Sequence, residues 1–149
     1  MQRKQSENKK IKNASPLEFN GISFKSKLEK MIYQTLRENN LPVEYEPQKF
    51  IIWEGFRPTV PFYDKDKTTR MLKLEKKKII SISYTPDFVF RYNDCLIIIE
   101  AKGMENDRFY LKKKMFRKWL ENNEPKSIYF EIYTKKQLLQ AIDIIKALN

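Results

Sequence analysis

The chain has 149 residues, enough for one compact domain and too few for two full ones. Lys and Arg total 30 against 19 Asp and Glu, a formal charge of +11 that points to an acidic partner, while a hydrophobic content of 41% excludes a disordered polycation. There is no histidine and one cysteine, Cys95, which excludes Ser-His and Cys-His catalysis, histidine- or cysteine-cluster zinc, and an internal disulfide.

Residues 1–14 carry a net +4 with almost no apolar content, and read either as a flexible basic arm or as an inert tail. Residues 15–149 read as a single domain. Phe24, Leu28, Ile32 and Leu36 recur at helical spacing, so a helix is predicted from Lys25 to Asn39-Asn40. Residues 43–53 read as a strand. Residues 54–78 contain Gly55, Pro58 and Pro61 and then a charged run, with a net +5 over residues 65–78. This stretch reads as a short strand and a long exposed basic insertion at about 56–78, or with a helix over residues 70–77. An insertion of that length in a small domain is more often functional than structural.

Residues 79–92 and 96–102 read as two strands joined by a turn at Asn93-Asp94. Phe88, Val89 and Phe90, and then Ile97, Ile98 and Ile99, are apolar on consecutive positions. Such strands are buried on both faces, as central strands of an α/β sheet are. Residues 106–122 read as a helix with Leu111, Met115 and Trp119 inward. Residues 127–133 form a further strand. Thr134 and Gln137 make a capping box for a last helix with Leu138, Leu139, Ile142 and Ile145 inward. The predicted fold is α/β, a central mixed β-sheet flanked by helices, in the order α-β-(β)-β-β-α-β-α.

Asp87 and Glu100 stand at the ends of apolar strands, where an unpaired carboxylate is costly. With Asn93 and Asp94 as the two turn residues, Tyr92 faces Cys95, and counting outward places Asp87 opposite Glu100. Lys102 lies two residues on, on the same face. Two carboxylates held together repel unless a cation joins them, and their oxygens suit Mg²⁺. A divalent cation beside a lysine equips a site for phosphodiester hydrolysis, chemistry that needs no histidine. The plain alternative is a structural salt bridge at a sheet end.

Pro86-Asp87, followed thirteen residues on by Glu100-Ala101-Lys102, resembles the signature of the PD-(D/E)XK nuclease superfamily. Residues 24–29, residues 43–46, Tyr84-Thr85-Pro86-Asp87-Phe88 and Glu100-Ala101-Lys102-Gly103 resemble, in order, segments of phage endonuclease I, a Holliday junction resolvase. A family of short phage and prophage proteins is similarly close. The resemblance implies a restriction-endonuclease-like core and a homodimer that cuts branched DNA with one or two Mg²⁺ ions, or Mn²⁺ in substitution. It implies Glu29, Asp87, Glu100 and Lys102 as catalytic residues. Asp87, Glu100, Glu29 and the Ala101 carbonyl would be the metal ligands. Ser26 and Glu29 also form a capping box by themselves, so Glu29 has two readings. The basic insertion is longer than the corresponding connection in the resolvases.

Lys112, Lys113, Lys114, Arg117 and Lys118 read as a DNA-backbone contact or as the solvated face of a helix. Lys73, Lys76, Lys77 and Lys78 read as phosphate clamps or as solubilising loop charges. Trp53 and Trp119 are expected in the core. The leading expectation is a Mg²⁺-dependent endodeoxyribonuclease, cytoplasmic in a bacterial cell or phage-infected host and not membrane-bound. The alternatives are a nuclease subunit of a transposition or restriction system, and a non-catalytic DNA-binding or virion-associated module of the same fold.

Overall fold

A computed structural model describes residues 17–103 and 107–149; the predicted basic arm over residues 1–14 lies outside them. The first described elements are β1 (Leu17–Phe19), β2 (Ile22–Phe24), α1 (Lys27–Glu38), β3 (Glu44–Tyr45) and β4 (Phe50–Trp53). Then come β5 (Tyr63–Lys65), β6 (Leu72–Leu74), β7 (Ile82–Tyr84), β8 (Phe88–Tyr92) and β9 (Cys95–Ala101). The last are α2 (Asp107–Asn123), β10 (Ser127–Ile132) and α3 (Lys135–Lys146). Among the described residues no helix is long and apolar enough to cross a membrane.

One four-stranded sheet organises the fold, in the order β10-β9-β8-β3, with β10 parallel to β9 and the other neighbours antiparallel. Both faces are covered. On one face, α1 and α3 bring Ile32, Leu36, Leu138 and Ile142 against Phe88, Phe90, Ile97 and Ile99. On the other, Phe116 and Leu120 of α2, Phe50 of β4 and Tyr84 of β7 pack on Val89, Leu96 and Ile98. Each such side chain stabilises the fold by roughly 1.5–3 kcal/mol when fully buried. A slip of one residue would exchange the two faces, so burial and turn geometry fix the same register.

Local signals set the element ends. Ser26 caps α1, its Oγ accepting from the Glu29 N–H at 3.1 Å, and Asn40 at φ 60° follows the helix. Thr134 and Gln137 cap α3 reciprocally, as expected. Asn93 and Asp94 take φ 45° and 61°, the left-handed pair of a type I′ hairpin turn, and pair Tyr92 with Cys95. Asn20 and Gly21 do the same for β1–β2, a hairpin not among the predicted elements.

Several expectations are corrected. The strand predicted over residues 43–53 is two strands on different sheets, because Glu46 turns to φ 45° and Pro47 has no N–H to donate. The strand over residues 79–92 is likewise broken at Thr85-Pro86, with β7 pairing β4 and β8 pairing β9. No helix covers residues 70–77; β5 and β6 form a hairpin there. Phe116 and Leu120 face inward from α2, whereas Leu111 is exposed. On α3 Leu139 is exposed and Ala141 is buried. Trp53 is also exposed, lying edge-on to Phe56, whereas Trp119 packs on Phe50 and Phe116.

Candidate active site

The β8–β9 pairing, carried one residue past Phe88 and Ile99, sets Asp87 opposite Glu100. Direct bonds tie the two positions. The Ala101 N–H donates to Asp87 Oδ2 at 2.8 Å, and the Asp87 N–H donates to Glu100 Oε2 at 3.3 Å. Lys102 Nζ lies 3.2 Å from Glu100 Oε1 and over the Phe109 ring of α2, 2.7 Å from its centre. Both Glu100 and Lys102 are buried. Alternation along β8 and β9 puts Asp87 with Val89, and Glu100 with Ile98, on the sheet face that α2 covers.

Tyr84 completes the arrangement. Its hydroxyl donates to Glu100 Oε2 at 2.5 Å and lies 3.0 Å from the Tyr129 hydroxyl. Burial and the Glu100 charge push the Tyr84 phenol far up, so it is a fixed neutral donor. Asp87 titrates unusually high, raised to about 7, first by burial and then by the charge of Glu100. The Ala101 N–H pulls it down; Glu29 raises it and Lys102 lowers it by lesser amounts.

Glu29 reaches this end of the sheet from α1, on the opposite face. Its Oε1 accepts from Ser26 Oγ at 3.0 Å; its Oε2 accepts from the Lys25 N–H at 3.1 Å and from the Tyr45 hydroxyl at 2.6 Å. These bonds show Glu29 holding the helix start; of its place at the site, the structure shows only that its charge is felt at Asp87. Lys25 forms an ion pair with Glu46, whose N–H donates to the Asp87 carbonyl at 2.7 Å. Tyr84, Tyr45, Lys25 and Glu46 lie in segments the sequence picked out but were given no role there, and Phe109 was not picked out at all. Tyr84 stands three residues before Asp87, whereas Lys25, Tyr45, Glu46 and Phe109 meet the site through tertiary contacts that spacing alone does not show.

Asp87 and Glu100 are hard oxygen donors with mutual repulsion, which a divalent cation relieves. Mg²⁺ commonly takes one or two protein carboxylates and completes its shell with water and substrate phosphate, so the pair fits it. Among the described residues no group of three or more Asp, Glu or Cys side chains could hold a metal. The structure thus gathers Asp87, Glu100, the Ala101 backbone and Lys102, and does not bring the Glu29 carboxylate into one ligand set with them.

The basic residues divide. Lys112 lines a cleft of about 420 Å³ beside the site, together with Ser83, Tyr84, Thr85, Arg108 and Phe109. Lys113 turns to the sheet, 2.8 Å from Glu131, and so leaves the predicted solvated face. Lys114 lies over the Tyr110 ring, and Arg117 and Lys118 are exposed. Lys73, Lys76, Lys77 and Lys78 belong to β6 and the leg that leaves it; Lys73 lies 3.6 Å from Asp66 and Lys77 3.9 Å from Glu75.

The fold and site define a class: an α/β domain with an acidic pair and a lysine at the end of its central hairpin. The chain belongs to the family described as "Protein of unknown function (DUF1064)", whose model matches residues 9–132. No curated protein and no solved structure matches it.

Proposed function

We propose that the chain is a metal-dependent endodeoxyribonuclease of the PD-(D/E)XK kind acting on branched DNA. The observation that carries this reading is the facing of Asp87 and Glu100 across the β8–β9 ladder, with Lys102 Nζ 3.2 Å from Glu100. Mg²⁺ or Mn²⁺, when bound, supplies Lewis-acid charge and a more acidic water. Asp87, Glu100 and the Ala101 carbonyl would hold it. Tyr84 fixes Glu100, and the Ala101 N–H fixes Asp87, so neither carboxylate must reorganise during reaction. Lys102 brings an ammonium to the same face, where it stabilises charge on the phosphate or steadies the attacking water. Lys112, Lys114, Arg117 and Lys118 supply cations along α2 for the DNA backbone.

One observation favours a second reading, a DNA-binding module without turnover. Lys102 is already engaged by Glu100 and by the Phe109 ring. The two readings separate on a labelled four-way junction and a linear duplex, each with Mg²⁺ or EDTA, using wild type and Lys102→Ala. The nuclease reading expects Mg²⁺-dependent cuts in the junction, reduced on the order of 10²-fold or more in the variant. Cutting of both substrates would remove the preference for branches. Binding without cutting under Mg²⁺ and Mn²⁺ would leave the module.

A further inference from the structure

Residues 56–80 stand apart from the site. Their legs meet where Phe56 and Ile79 bond reciprocally, and beyond that point β5 and β6 pair only with each other. An isolated hairpin is marginal in water, yet this one is internally ordered. At its tip, Asp66 Oδ1 accepts from the Thr68 and Thr69 N–H groups at 2.9 and 2.8 Å. The Asp66 N–H donates to the Met71 carbonyl at 2.8 Å, and Arg70 adopts φ 65° to close the turn.

The hairpin pairs its backbone within itself and leaves most of its side chains outward. Leu72 is 75% exposed and Met71 70%. The pairing of Tyr63 with Leu74 and of Lys65 with Leu72 puts two leucines, a tyrosine and a lysine on one face. Residues 56–80 carry a net +5. Lys65, Lys67, Arg70, Lys76 and Lys78 form no ion pair among the described residues.

We propose that this arm is a nucleic-acid ribbon: its cations grip phosphates while Leu72 and Met71 wedge against unstacked bases at a kink or branch. A two-stranded ribbon can enter either DNA groove, and apolar wedges set between base steps from the minor groove are a known means of holding kinked DNA. Charge decides against a second copy of the chain, because two arms of +5 repel. Interleaving decides against an anionic bilayer. Lys65 shares a face with Leu72, and Asp64 and Asp66 lie beside the tip, whereas a membrane-seeking surface separates its apolar and charged sides. The choice of nucleic acid rests also on the nuclease reading.

The test uses the full chain in EDTA, with fluorescence anisotropy on a labelled four-way junction and a matched duplex. Lys67→Ala with Lys76→Ala is expected to weaken both substrates alike and to flatten the dependence of log K on log salt by about two. Met71→Ser with Leu72→Ser is expected to weaken the junction on the order of tenfold more than the duplex, with the salt slope unchanged. All four side chains are exposed, so the fold is not at risk. An unchanged junction-to-duplex ratio in the serine variant overturns the wedge. So does loss, in the serine variant, of binding to phosphatidylserine vesicles or of a dimer in sedimentation, with DNA affinity intact. Cutting plays no part in the readout. An inert Lys102 site with the arm effect intact overturns the nuclease reading alone, and a cutting enzyme indifferent to the arm variants overturns the arm alone.

Discussion

Asp87 is a carboxylate packed under α2 beside a second carboxylate, and both circumstances favour its protonated form. Its ordinary value of 3.8 is raised to about 7 by burial first and the charge of Glu100 second. A carboxyl whose pKa is higher in the folded state gives that state extra proton affinity across the interval. Asp87 therefore contributes stability that is present below about pH 4 and lost as pH rises through about 7. The expected outcome is that wild type without metal loses on the order of a few kcal/mol relative to Asp87→Asn between pH 5 and pH 8. Urea denaturation of both proteins at the two pH values measures it. Millimolar Mg²⁺ should restore much of the loss in wild type at pH 8 and little in the variant, because a ligand stabilises only the state that binds it. A difference between the two proteins that stays flat with pH would mean that Asp87 is solvated like a surface acid. The bond from Tyr84 to Glu100 holds the neighbouring charge in place, so a fixed donor on one carboxylate maintains the pressure on the other.

At the scale of elements, the β8–β9 hairpin was legible because its register depends on two adjacent residues. Asn93 and Asp94 accept positive φ, a two-residue turn follows, and the count to Asp87 and Glu100 is then arithmetic. The breaks at Glu46-Pro47 and Thr85-Pro86 were less legible. Pro47 and Pro86 mark both breaks in the sequence, but apolar residues resume beyond each, and only the topology shows that the halves join different sheets. The insertion was legible as exposed and basic but not as a hairpin, since β5 and β6 are three residues each and bury nothing. Its base is set by Gly55. A Cβ there would lie 2.5 Å from the Ile79 carbonyl oxygen and 2.7 Å from the Ser81 nitrogen, both backbone atoms of the returning leg. Gly55→Ala is expected to destabilise the protein by roughly 1–3 kcal/mol through forced backbone displacement. Reduced entropy of the unfolded chain acts in the opposite sense, stabilising by about 0.4–1 kcal/mol where alanine fits. The sign of the shift in urea midpoint thus decides between close approach and open space.

Across the whole molecule, order and exposure divide between two regions. β9 has a strand on each side and a helical layer on each face, and Ile97, Ile98 and Ile99 are fully buried. The acidic pair and Lys102 are attached to this least yielding part, where a geometry of facing charges can be held without motion. The arm has the opposite character: a two-stranded sheet of its own, exposed side chains and a net positive charge. Local stability follows such differences in burial, so amide exchange should map the division. The β9 amides are expected to exchange only through global unfolding, and those of β5 and β6 at least about 100-fold faster. Adding a four-way DNA junction in EDTA should slow the hairpin amides directly, because the arm gains partners for its cations and apolar side chains, whereas β9 should slow only as far as binding raises global stability. Hairpin amides as slow as β9 without DNA would mean that the arm is an integral part of the folded body. Unchanged exchange with DNA bound would move the contact to the α2 cations beside the site. Either result can be read without cleavage, so whether and where DNA is held is settled separately from whether it is cut.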